Sequence, residues 1–445
     1  MKPYQAIIAL VFVCVLAGVS VRATGPGMIP ITVLSPESPN MLAEIAPFET
    51  ALVWSTTSGS QVNDIVVDNF DADAYEEVAV ITQNGTLFLF DEDSTLLWKL
   101  GLGSIPHAIA AIDGTASVGK EMLIGTDRGV LVIGANKIVQ MNMSLPEPVY
   151  AVTGAHLDGD GLEEVVVGCD DFFVYAFEID STPLWSYLSN GQVRLLEGAD
   201  IDSDARTEFI VASQGRRFTL LQDTGAMVFE KTSDTSINVV GIGDLTAAAN
   251  LDLVYGNSNG TLTVWGSTGT LAYSIQAMDS ITALQIGNLI TGGRHELAIG
   301  TSAAALRIFD SGGVQLWNKT LGGQVNSILF PNIGATTNAQ VLTTASGQLT
   351  LYNSTGWRSF RTNINGLTGA IAYGDLDSFG GEEFAYGTNG GTVSAYGRDF
   401  DSDRLADARE ILIEGTLYNN PDTDADKLKD GEEVLDYDTN PLLPR

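Results

Sequence analysis

Residues 156–185 read HLDGDGLEEVVVGCDDFFVYAFEIDSTPLW. An acidic loop with Asp158, Asp160 and Glu164 leads into an apolar run, Val165 to Val167. A turn at Asp170 and Asp171 follows, then a second run from Phe173 to Phe177, a polar turn, and a short run ending in Trp185. Short runs rich in Val, Phe and Tyr, cut by Asp, Gly and Ser, are strand signals, so this stretch predicts one antiparallel unit.

The unit repeats. Positions equivalent to Glu164 are Glu77, Glu121, Glu208, Asp252, Glu296, Gln340 and Glu383, at steps of 43 or 44 residues. Four residues further on stands a column of mostly small residues: Ile81, Gly125, Gly168, Ala212, Gly256, Gly300, Thr344 and Gly387. Thirteen residues on, six units carry Phe90, Phe177, Leu221, Trp265, Phe309 and Tyr396. A period in the low forties with several short strands per period predicts an all-β propeller. Eight units give eight blades; seven is the alternative if the unit around Gln340 is incomplete.

A fourth-strand aromatic recurs at Trp98, Trp185, Phe229, Tyr273 and Trp317, each 23 residues before the next acidic position. Trp54 stands 23 before Glu77, although no unit precedes it, and the eighth unit stops after Tyr396 without a fourth strand. The strand around Ala51 to Trp54 is therefore expected to complete the last blade, which hides both open edges of the array.

With 55 acidic against 22 basic residues, the net charge of −33 disfavours nucleic acid and anionic lipid as partners and favours cations. Lys2, the apolar run from Ala6 to Val21 and Val21-Arg22-Ala23 predict a secretory signal over residues 1–23, with no membrane insertion once it is removed; an uncleaved membrane anchor is the alternative. Residues 24–44, with scattered Pro and Ser, read as a linker, 45–398 as the propeller and 399–445 as a separate acidic module. Beyond the signal only Cys169 remains, in a polar strand-end column, so neither disulfides nor a catalytic thiol are expected. Sequons at Asn84, Asn142, Asn259, Asn318 and Asn353, in or near predicted turns, fit an exported glycoprotein. His107, His156 and His295 occupy different columns and are expected at surfaces or turns.

Three loops space their oxygen-bearing side chains alike: Asn69, Asp71, Asp73 and Glu77; Asp158, Asp160 and Glu164; Asp200, Asp202, Asp204 and Glu208. Carboxylates about 4 Å apart repel by roughly 1 kcal/mol even in water, and a hard divalent cation removes that cost. Calcium takes six to eight oxygens, and Tyr75, Leu162 and Arg206 are placed to offer backbone carbonyls. The eighth loop has Asp375, Asp377 and Glu383, with Phe379 where an oxygen ligand would stand, while the remaining loops are expected to be plain turns. This D-x-D-x-D-G-x-x-E loop before a blade resembles the FG-GAP repeats of integrin alpha chains, and that resemblance implies calcium in the loop. The aromatic positions are also similar to the eight-bladed quinoprotein family, whose adjacent cysteine pair this chain lacks. Ala74 and Ala205 stand where the repeat has glycine, and His156 takes the first ligand position of its loop.

From residue 399 two twelve-residue patterns place acids at positions 1, 3, 5, 9 and 12: Asp399, Asp401, Asp403, Asp407 and Glu410, then Asp422, Asp424, Asp426, Asp430 and Glu433. This is calcium-loop spacing, and the tail resembles thrombospondin type 3 repeats. Position 6 holds Arg404 and Lys427 instead of glycine, a cation expected to weaken the site. No catalytic constellation is recognisable. The sequence thus predicts an exported calcium-binding propeller that presents a face to an extracellular protein or glycan, with the tail as spacer or docking module. The alternative is a propeller enzyme acting on extracellular sugars or alcohols, quinoprotein-like or a glycan lyase.

Overall fold

The structure is a computed structural model that describes residues 49–444 except 72, 215, 335–337 and 380. The expected signal, linker and first residues of the propeller, 1–48, lie outside the described residues. The described strands form eight four-stranded antiparallel sheets. Seven sheets take four consecutive strands, as in blade 1: Val62–Asp68, Glu77–Thr82, Thr86–Phe90 and Leu96–Gly101, here strands a to d. The unit around Gln340 is a full blade, with strands Val325–Leu329, Val341–Ala345, Gln348–Tyr352 and Arg358–Asn363, so the ring has eight blades. In blade 8 the fourth strand is Glu49–Thr57, paired antiparallel with Thr392–Asp399 so that Leu52 faces Tyr396 and Trp54 faces Ala395.

Each strand position has its own pattern because each meets a different environment. The b strands are buried along their whole length and read as unbroken apolar runs, such as VAVI in Glu77–Thr82. The d strands alternate, one face on the neighbouring blade and one in solvent, as in Pro183–Leu188. The small-residue column has a steric cause. A Cβ on Gly168 would come within 2.5 Å of Val193 Cγ1, the first residue of the next blade's inner strand. The fourth-strand aromatics are pins between blades: the indole N–H groups of Trp98, Trp185 and Trp317 donate to the carbonyls of Ala135, Asp223 and Ser354 in the following blade's c–d turn, at 2.6–2.8 Å. Trp54 does the same across the closing joint, donating to the Glu92 carbonyl at 2.8 Å.

The tail is not detached. Residues 48–445 form one compact unit. Strand Thr392–Asp399 runs directly into the first acidic loop, one residue past the expected boundary, and Ala406 and Ala408 enter the apolar cluster that holds Val53, Trp54 and Phe90. The tail, expected as spacer or docking module, packs on the ring. Each tail loop leads into a short helical segment, Asp407–Arg409 with Glu410–Glu414 and Asp430–Glu432 with Glu433–Tyr437. Two sequons, at Asn142 and Asn318, lie inside d strands with exposed side chains and not at turns. Among the described residues no helix is long and apolar enough to cross a membrane.

Candidate metal centres

An antiparallel meander puts the a–b loops and c–d turns at one edge of every blade, so the acidic loops share one face of the ring. The conserved-looking acid at the start of strand b first does a structural job. In all eight blades its side chain accepts the backbone N–H seven residues earlier: Phe70 to Glu77, Gly114 to Glu121, Leu157 to Glu164, Ile201 to Glu208, Leu245 to Asp252, Leu289 to Glu296, Ile333 to Gln340 and Leu376 to Glu383. Gln340 serves because this bond needs an oxygen and not a charge.

The blades differ at the other oxygen. In blade 2, Glu121 Oε1 accepts from the hydroxyls of Thr115 and Ser117; in blade 5, Asp252 Oδ1 accepts from Thr246 Oγ1 at 2.9 Å. In blade 1, Glu77 is 0% exposed and its Oε1 receives no hydrogen bond. Oxygens of Asp71, Asp73, Glu77 and Asp91 there lie within 4.8 Å of one another. Burial pushes Glu77 up to about 7 against the opposing Phe70 N–H bond, with Asp71 and Asp73 adding to the rise. Burial and a hydrogen bond to Asp91 likewise push Glu92 up to about 8.

Blades 3, 4 and 8 repeat the arrangement. Asp158, Glu164 and Glu178 converge in one, Asp200, Asp202 and Glu208 in the next, and Asp375, Asp377 and Glu383 in the last. Burial pushes Glu164 and Glu208 up to about 7 and Asp377 to about 6, and lifts Glu383 well above the usual carboxylate range. Asp91 and Glu178 come from the c–d turn and belong to no loop motif. Their signal was present nonetheless, since each directly follows the aromatic column at Phe90 and Phe177.

Other expected ligands work within their own loops. Asp160 and Asp204 accept from Leu162 N and Arg206 N, and the Asn69 amide donates to Asp73 O. The Leu162 carbonyl, expected to face the ion, receives His156 Nδ1 at 2.9 Å. Ala205 takes the glycine-like turn with φ of 68°, as Gly161 does with 95°. Phe379 packs on Tyr418 of the tail with ring centroids 4.5 Å apart, so it helps dock the tail against blade 8.

In the first tail loop Asp399, Asp403, Asp407 and Glu410 are all buried. Oxygens of Asp399, Asp401 and Asp403 lie within 4.8 Å of one another; neither oxygen of Asp401 nor Oε2 of Glu410 receives a hydrogen bond. Burial, with Asp403 and Asp401 alongside, pushes Glu410 up to about 9, and Asp401 rises to about 7 for the same reasons. The second loop copies the first: Asp422 accepts from Asp426 N and Lys427 N, as Asp399 does from Asp403 N and Arg404 N. Asp424 Oδ2 receives no hydrogen bond, Asp430 is tied by Thr423, and Glu433 accepts from Thr439 as Glu410 does from Thr416. Arg404 adopts the left-handed turn at φ of 92°, and its guanidinium reaches Asp436 at 2.6 Å, away from the ligand oxygens.

All these groups offer oxygen, the ligand type that hard cations take. The inner strands surround a separate cavity of about 500 Å³ lined by Asp64, Tyr150, Arg194, Gln285 and Asn326 among others. His107 sits half-buried on inner strand Pro106–Ile112 and stacks on Tyr150 at 4.3 Å, and Arg194 covers Tyr150 while pairing with Asp170. Cys169 is buried, its thiol pushed up to about 12 by burial.

No family model and no curated protein sequence matches the chain. Solved structures do. Sqt1 of Saccharomyces cerevisiae superposes with a TM-score of 0.64 at 14% identity, covering 79% of this chain and 99% of that one. The computationally designed Ika8 protein gives 0.62 at 16%, covering 78% and 99%, and BamB from Moraxella catarrhalis gives 0.54 at 15%, covering 78% and 99%. At such identities the likeness establishes the fold alone: the chain is an eight-bladed β-propeller with clusters of acidic groups able to hold metal ions.

Proposed function

We propose that this protein is an exported, calcium-binding propeller that acts as a binding or adhesion module for an extracellular protein or glycan. The observation that carries the reading is Glu77 Oε1, buried without a donor among Asp71, Asp73 and Asp91, where blades 2 and 5 place a hydroxyl. A buried polar atom without a partner costs about 1–3 kcal/mol, and more when charged, so an oxygen repeatedly left open among acids points to a cation as the missing partner. Extracellular calcium modules bind at about 10⁻⁴ to 10⁻³ M, so even modest sites fill outside a cell. The export step rests on the sequence of residues 1–23, and the binding role on a rigid ring that presents loops on two faces.

Immobilised protein challenged with extracellular matrix proteins and neutral glycans, in calcium or in chelator, tests this reading. Retention of one class only in calcium supports it. Dye-linked alcohol oxidation after addition of pyrroloquinoline quinone, or depolymerisation of a glycan, would instead establish the enzyme alternative.

A further inference from the structure

The ring has one joint made without a chain connection, the docking of Glu49–Thr57 onto Thr392–Asp399. Acidic clusters stand on both sides of it. On the blade 1 side, Trp54 of the closing strand donates to the carbonyl of Glu92 at 2.8 Å. The neighbouring residue, Asp91, shares its cluster with Asp71, Asp73 and Glu77, and the buried Oε2 of Glu92 receives no hydrogen bond. On the tail side, Asp399, first acid of the loop, is the strand partner of Glu49, and Ala406 and Ala408 share an apolar cluster with Val53 and Trp54. Glu77 of the blade 1 cluster and Glu410 of the first tail loop, both 0% exposed, each hold an oxygen without a donor. In blade 5, away from the joint, the corresponding acid is tied by Thr246.

We infer that cations in blade 1 and in the first tail loop lock the closing strand, with Glu92 an additional ligand of the blade 1 ion. This rests on the reading that these clusters bind calcium. Without the ion the carboxylates of blade 1 repel, and the c–d turn is the part that can swing outward. That movement carries the Glu92 carbonyl away from the Trp54 indole. Opening of the tail loop withdraws Asp399 from Glu49 at the other end of the same strand. Both losses fall on a strand whose partner lies more than 300 residues away in the chain, where the entropy of closing the loop opposes re-docking.

Amide hydrogen exchange read by mass spectrometry on the full chain tests the lock. In wild type, moving from calcium to chelator accelerates exchange of residues 49–57 and 392–399 by about tenfold or more, and by much less in blades 5 to 7. In saturating calcium, Glu92→Gln reproduces the loosening of 49–57, whereas Asp202→Asn, which disables the blade 4 cluster, leaves it protected. Closing-strand protection that is indifferent to calcium, or loosening spread evenly round the ring, overturns the lock even where calorimetry records calcium uptake. Absence of any uptake overturns both the lock and the calcium reading. The wild-type comparison decides the matter should Glu92→Gln fail to fold.

Discussion

Blades 1 and 2 are neighbours built to one plan, yet they complete the same loop with different chemistry. Glu77 and Glu121 each cap an N–H seven residues back, which fixes the a–b loop on strand b. Blade 2 then closes the pocket with Thr115 and Ser117, neutral donors supplied by the chain. Blade 1 supplies Asp71, Asp73 and Asp91, three more acceptors and no donor. The blade 2 loop is finished as folded; the blade 1 loop leaves a buried oxygen among acids, which on the proposed reading a cation completes. One fold can thus hold loops closed by hydroxyls and loops filled with carboxylates side by side without changing the strands.

The contrast predicts where calcium acts. A site with a dissociation constant near 10⁻⁴ M contributes about 2 kcal/mol in about 2 mM calcium. For a chain of this size each such increment raises the midpoint by roughly 2–3 °C. With four acidic blades and two tail loops, thermal unfolding followed by circular dichroism is expected to shift by roughly 12–18 °C between chelator and calcium.

The second effect is one of pH. Glu77, Glu164 and Glu208 sit near 7 and Glu410 near 9 in the folded, ion-free protein. A raised folded pKa means that the folded state holds more protons than the unfolded chain, so stability is present at low pH and falls as pH rises through these values. Chelated protein should therefore melt at a lower temperature at pH 8 than at pH 5.5, by several degrees. Calcium should abolish that slope at the upper end, and a slope of the opposite sign in chelator would break the electrostatic picture.

The smallest expected effect sharpens the self-sufficient side. Thr246→Ala removes the hydroxyl that donates to Asp252 Oδ1 and should cost about 1 kcal/mol, equally in calcium and in chelator. Rescue by calcium alone would show that blade 5 is also a metal loop.

The ring was legible because periodicity reports burial. The acidic column, the small column and the fourth-strand aromatics each mark a contact that recurs in blade after blade, down to Trp54 as the closing pin. The loop acids were legible for the same reason. What one-dimensional spacing could not convey was convergence across connections. Asp91 and Glu178 reach their clusters from the c–d turn, Phe379 meets Tyr418 instead of an ion, and Arg404 turns out to Asp436. His107, expected at a surface or turn, stands half-buried on an inner strand, whose alternation looks like that of any half-exposed strand. The packing of the tail on the closing strand depends on Ala406 and Ala408, residues too small to announce a core position.

The most direct test is the calcium stoichiometry of three proteins by isothermal titration calorimetry: wild type, Glu77→Gln and Glu121→Gln. Both amides preserve the N–H cap, as Gln340 does in blade 7. Glu77→Gln is expected to bind one ion fewer than wild type and Glu121→Gln the same number. Equal stoichiometry for wild type and Glu77→Gln, or a site lost from Glu121→Gln, would contradict the assignment of metal dependence to the carboxylate-filled loops.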